Sequence, residues 1–245
     1  MKKNILLAVF LNFVLCLSHI SYAGILASST RVIYNETAVE KSLLLVNTNE
    51  YPVLTQLWVD DGKSNTEFKN SPFVVLPAVF KLVPNEIKGI RILYNGLNLP
   101  KDRESMYWLN LYEIPAIKKE NLEKNYLNLA MNTQMKLFFR PKSLKNIDIN
   151  DFQKKIEYKL INNENNFRLE LYNPTPYYLN ITSLKIKNNL SKSNLKNQNN
   201  NIIQPFSKNE YNLKNKDFKI SHSNQLSYNL IDDYGTHHSY TININ

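Results

Sequence analysis

The sequence predicts an all-β protein made of two immunoglobulin-like β-sandwich domains, and three observations predict it. Apolar residues recur with a period of two from Gly24 onward, and nothing sustains the 3.6-residue period of a helix. Proline, asparagine, aspartate and glycine break that pattern into short segments. The pattern also restarts once, just after Pro141.

The first run reads ILASSTRVIYN, KSLLLVNT, VLTQLWVDD, PFVVLP, KGIRILY, SMYWLNLYEI and YLNLAMNTQMKLFF. About seven short strands without an intervening helix match an immunoglobulin-type sandwich. Two turns fit between them. Asn85, in Pro84-Asn85-Glu86, suits a tight turn because asparagine accepts positive φ better than any residue except glycine, and Asp60-Asp61-Gly62 closes the third segment in the same way. The second run is KKIEYKLINN, FRLELYN, YYLNITSLKI, IIQPF, EYNLKN, QLSYNLIDD and HSYTININ, less apolar and more widely spaced. The polar, low-complexity stretch 188–201 reads as a loop. The division is therefore 24–143 and 144–245, with Pro141 stiffening the exit from the last strand of the first domain.

Residues 1–23 have the layout of a secretory signal peptide: Lys2 and Lys3, an apolar run from Ile5 to Leu17, then Ser21 and Ala23 as the small-x-small exit. That run is about 13 residues, short of the roughly 20 that span a bilayer. Cleavage is expected after Ala23, which leaves an exported mature chain. Cys16, the single cysteine of the 245-residue chain, leaves with the signal, so the mature chain must hold together by core burial without disulfides. Loss of Lys2 and Lys3 lowers the formal charge from +9 to +7. The remaining lysines are scattered among asparagines with no compact basic run, which argues against nucleic acid as a partner.

Catalytic machinery is not legible. His222, His237 and His238 lack companions for a three- or four-ligand metal site, and no G-x-S-x-G elbow, cysteine nucleophile or glycine-rich phosphate loop is present. Asp60-Asp61 and Asp232-Asp233 fall at strand ends, where solvated turns are the ordinary explanation. Neither an enzymatic activity nor a metal or other cofactor is expected. A secreted adhesive or structural sandwich is the competing reading.

The segment NTQMKLFFRPKSL and the alternation before it point to function. Leu127, Leu129, Met131, Thr133 and Met135 share one strand face, apolar at four of five positions, so the strand either faces a core or pairs with another chain at an open edge. Five blocks, STRVIYN, DRESMYWLNLYEIPA, MKLFFRP, NPTPYYLNI and LIDDYG, occur in an order that resembles the periplasmic chaperones of the chaperone-usher pathway, which escort pilus (fimbrial) subunits. That resemblance implies two sandwiches set as an L or boomerang, and a chaperone that stabilises subunits by donor-strand complementation before delivery to an outer-membrane usher. It implies that Arg31 and Lys136 anchor the subunit's terminal carboxylate and that Leu127, Leu129 and Met131 are the donated side chains. Glu104, Arg140 and Asp233 resemble the family's interdomain charged triad. The short connection from Glu113 to Leu127 resembles the short-loop (F1-G1) subclass. The family also implies that the free chaperone can cap its own strand edge as a homo-oligomer. Pro77-Ala78, Asn85 and Thr236 depart from the family's pattern, all at turns.

Overall fold

The computed structural model describes residues 24–63, 71–116, 129–163, 166–188, 192–196, 201–213 and 224–244. The signal segment therefore lies outside the described residues, as do His222 and Leu127.

Nine strands form the first half: β1 (Ile25–Ala27), β2 (Arg31–Asn35), β3 (Lys41–Asn47), β4 (Val53–Asp60), β5 (Phe73–Leu76), β6 (Val79–Leu82), β7 (Ile87–Tyr94), β8 (Ser105–Pro115) and β9 (Met131–Arg140). They make two sheets, ordered β1-β3-β7-β5 and β2-β9-β8-β4-β6. The alternate residues buried along each strand meet between the sheets in one core, where Tyr34 packs edge-on against Phe73 at 5.3 Å. Burying alternate side chains of both sheets is what makes a period-2 sequence stable as a sandwich.

The sequence expectation of one strand through ILASSTRVIYN is corrected. The chain pairs with β3 as β1 and then crosses to the other sheet as β2, where it runs parallel to β9. Two serines make the crossing possible: the Ser28 hydroxyl accepts from Leu44 N–H at 3.1 Å, and the Ser29 hydroxyl donates to Arg31 C=O at 2.6 Å. These local bonds replace ladder bonds lost at the switch. The expected turn at Asn85 has φ 62°, as its residue type allows. Residues 126–128 of the strand expected from Tyr126 lie outside the described residues; its described part is paired from Met131, which stands opposite Glu113 on the antiparallel neighbour. Among the described residues, Leu129 and Ala130 have no ladder partner.

The second half contains β10 (Glu157–Asn163), β11 (Asn166–Asn173), β12 (Leu179–Lys187), β13 (Lys192–Lys196), β14 (Ile202–Ile203), β15 (Ser207–Leu213), β16 (Asn224–Ile231) and β17 (His237–Ile244). Their order is β10-β11-β15-β13-β12-β16-β17, with β14 also on β12, around a second core. Two expectations are corrected here. The stretch 188–201, read as a loop, contains β13, which is held by backbone pairing to β12 and β15 and buries Leu195. A short helix, α1 (Ile149–Gln153), precedes β10; it is capped by the Asp148 carboxylate accepting from Asn150 N–H at 2.8 Å and is too short to show a helical period.

Candidate functional site

β9 is the element that positions the site. Its odd residues Met135, Leu137 and Phe139 point into the first core, so its even residues Lys136, Phe138 and Arg140 share the opposite face, which looks toward the second half of the chain. Phe138 stacks with Tyr178 at 5.5 Å. The spacing of four between Lys136 and Arg140 therefore puts both cations on one side of one strand, on either side of an aromatic contact.

The parallel register of β2 on β9 places Arg31 directly opposite Lys136. On β8 the opposite residue is Trp108, whose ring centroid lies 5.9 Å from Lys136 Nζ. Lys136 donates to Asn180 Oδ1 at 3.2 Å, and Arg31 Nη1 donates to the Ile231 carbonyl at 3.4 Å. Neither cation has an ion-pair partner among the described residues, and the buried Arg31 Nε has no hydrogen-bond partner. Desolvation pushes the Lys136 ammonium below the usual lysine range, and the Arg31 charge beside it pushes the same way. Burial likewise lowers Arg31, partly offset by Asp233 and Asp232. Two adjacent, partly dehydrated cations with spare donors are chemically suited to an anion, since charge-assisted hydrogen bonds are the stronger ones. A cleft of about 430 Å³ opens beside Arg31, between β2, β3 and the Asp233–Tyr234 turn; Lys136 does not line it.

Arg140 uses its whole guanidinium. Nε and Nη2 donate to Glu104 Oε1 at 2.8 and 2.7 Å; Nη1 and Nη2 donate to Asp233 at 2.6 and 3.0 Å; Nη1 also reaches Asn146 Oδ1 at 3.1 Å. All five N–H donors are thereby used. Glu104 Oε2 accepts from Tyr178 N–H at 2.8 Å, and Glu104 N–H donates to Pro176 C=O at 2.9 Å. The three charged residues singled out in the sequence thus meet, joining β8 and β9 to the turn after β16. Sequence reasoning missed Asn146, Tyr178 and Asn180, although the last two lie in the block NPTPYYLNI.

Of the expected donor residues, Met131 is 48% exposed and Leu129 67% exposed. The apolar face of β9 thus continues past the point where its own core ends. Among the described residues no group of three or more His, Cys, Asp or Glu could hold a metal ion, and no helix is long and apolar enough to cross a membrane. His238 instead pairs with Asp232 at 2.8 Å.

The chain is 32% identical to the chaperone protein FimB/FhaD of Bordetella pertussis over 221 residues, covering 87% of this chain and 85% of that one. Residues 24–145 match the model for the pili and flagellar-assembly chaperone PapD N-terminal domain, and residues 151–242 match the pili assembly chaperone PapD C-terminal domain. The chain belongs to the PapD-type pilus-assembly chaperone family. Among solved structures, the YadV chaperone, known from Escherichia coli, superimposes with a TM-score of 0.74 at 26% identity, covering 91% of this chain and all of that one. The SafB chaperone of Salmonella enterica, solved in complex with the SafA pilin, superimposes with a TM-score of 0.70 at 25% identity over 93% and 99% of the two chains. PapD-type proteins are chaperones and not enzymes, and they act in the periplasm. The two-sandwich architecture expected from the sequence is that of these relatives.

Proposed function

We propose that this PapD-type chaperone binds pilus subunits through β9 and delivers them to an outer-membrane usher. In this reading Arg31 and Lys136 hold the subunit's C-terminal carboxylate, which sets the register of the subunit's last strand along β9. Leu129 and Met131, together with Leu127 from outside the described residues, then fill the groove that an incomplete subunit sandwich leaves open. The observation that carries the proposal is the Arg31–Lys136 register pair, two cations without ion-pair partners among the described residues, on a strand whose apolar face runs on uncovered toward Leu129. The SafB–SafA complex supports it, because that relative is a chaperone solved with a pilin. Glu104, Arg140 and Asp233 serve as the clamp between domains 24–143 and 144–245. The short sequence separation of Glu113 and Leu127 supports membership of the short-loop subclass, and in this reading the β9 edge is what the subunit-free protein caps by self-association. Cleavage after Ala23 agrees with a family match that starts at residue 24.

The test is periplasmic co-expression with a candidate subunit, followed by pull-down and protease challenge. The wild type should retain and protect the subunit, and Lys136→Ala should lose both. Full binding by Lys136→Ala would remove the anchoring role.

A further inference from the structure

Glu113 is a buried carboxylate that the subunit-binding reading leaves unused. It stands on β8 opposite Met131 of β9 and Thr55 of β4, at 4% exposure. Its Oε2 accepts from Ile25 N–H at 3.1 Å, while Oε1 has no hydrogen-bond partner. Burial pushes the carboxyl up, against the pull of the Ile25 N–H and the Asn49 side chain. A buried carboxylate is costly unless it is paired, and an amide side chain would accept from Ile25 equally well. The charge therefore needs a reason of its own.

Gly24 supplies one. The position on its Cα where a side chain's Cβ would stand lies 3.0 Å from Glu113 Oε2 and 3.2 Å from Oε1. Its carbonyl is pinned by Thr48, whose N–H and hydroxyl donate to it at 3.0 and 2.5 Å. With the Cα–C bond held, a nitrogen no longer tied to residue 23 can rotate about that bond into the position facing both carboxylate oxygens. Its C–N bond is close in length to the C–C bond of a side chain, so the distances carry over.

We infer that Glu113 is the receptor for the α-ammonium left on Gly24 when residues 1–23 are removed, in a bidentate ion pair that exists only in the processed protein. The inference rests on the reading of cleavage after Ala23. In the precursor that nitrogen is a neutral amide bonded to Ala23 and carries no charge to give. Before processing, φ at Gly24 is 85°, a conformation glycine adopts readily. The pair also reaches the subunit-binding strand: Met131 Cε lies 3.4 Å from the same position. Removal of the signal thereby braces the root of the donor strand.

The experiment uses the mature protein purified from the periplasm, its first residue identified by N-terminal sequencing. The α-amine pKa, measured by competitive acylation, should lie at least about one unit above the ordinary 7.7–8.0 and return to it in Glu113→Gln. A second form, in which two extra residues precede Gly24, keeps Glu113 and should melt a few degrees lower. In that background Glu113→Gln should no longer lower Tm. An ordinary α-amine pKa on a confirmed Gly24 terminus, unchanged by Glu113→Gln, overturns the pair and leaves the cleavage site standing. A mature chain starting elsewhere overturns both.

Discussion

Glu104 Oε1 accepts from two nitrogens of Arg140, at 2.8 and 2.7 Å, and both residues are 4% exposed. Asp233, the other carboxylate on the same guanidinium, has a side chain 39% exposed. One arginine therefore holds a sealed carboxylate from its own half of the chain and a hydrated one from the other half. Burial drives Glu104 up while Arg140 pulls it down, and the two carboxylates raise Arg140.

That asymmetry ranks the substitutions. Glu104→Ala leaves a buried guanidinium short of a partner and orphans Tyr178 N–H, and should cost about 3–5 kcal/mol in urea unfolding. Asp233→Ala, where water can replace the carboxylate, should cost about 1 kcal/mol. Both should change the interdomain angle seen by small-angle scattering. A larger loss for Asp233→Ala would contradict the burial argument.

Lys136→Met should separate stability from function. The lysine's pKa is depressed in the folded protein, so between that value and the ordinary lysine value of about 10.4 the unfolded chain binds more protons and stability rises with pH. Below the folded pKa the penalty for the desolvated charge is present in full. Lys136→Met should therefore melt above the wild type near neutral pH, with the gap closing as pH rises through the folded pKa. Subunit pull-down should fail at every pH. A variant that melts lower at neutral pH would refute the desolvation argument.

Leu129→Asp and Met131→Ser should leave the free chaperone's unfolding free energy within about 0.5 kcal/mol of the wild type, as expected for exposed sites. Both should abolish subunit protection. Leu137→Ala, three steps of the alternation beyond Met131 and fully buried, should cost about 2–5 kcal/mol instead. Loss of stability in Met131→Ser would place that side chain in the chaperone's own core.

Gly235→Ala should be destabilising by about 1–3 kcal/mol, because φ is 87° and the added Cβ would stand 2.5 Å from Thr30 Oγ1. Thr30→Ala in the same chain should recover only the part due to the clash. Full recovery in the double variant would mean that backbone strain contributes nothing.

The strands of both sandwiches are legible in the sequence wherever burial alternates, as in β4 and β16. The shared face of Lys136 and Arg140 follows from their even spacing alone. Asn146 escaped notice because its partner Arg140 is recognised through geometry, not through any pattern around the asparagine. β13 escaped because its residues are polar and its pairing is made by the backbone, to which composition is nearly blind. Glu113 sits inside a quoted block, yet only coordinates reveal that one of its oxygens is buried without a partner.

By itself the sequence determined that most of the chain forms period-2 strands, that two sandwiches follow one another, and that the apolar alternation of β9 extends toward Leu127. Period-2 alternation is a local property, and hydrophobic burial reads it directly. Only the tertiary structure decided that the first segment changes sheets, that β2 runs parallel to β9, and that this register brings Arg31 opposite Lys136. Residues more than a hundred positions apart are aligned by hydrogen bonds between strands and by the packing of two cores, and no local pattern in either strand encodes its partner's register.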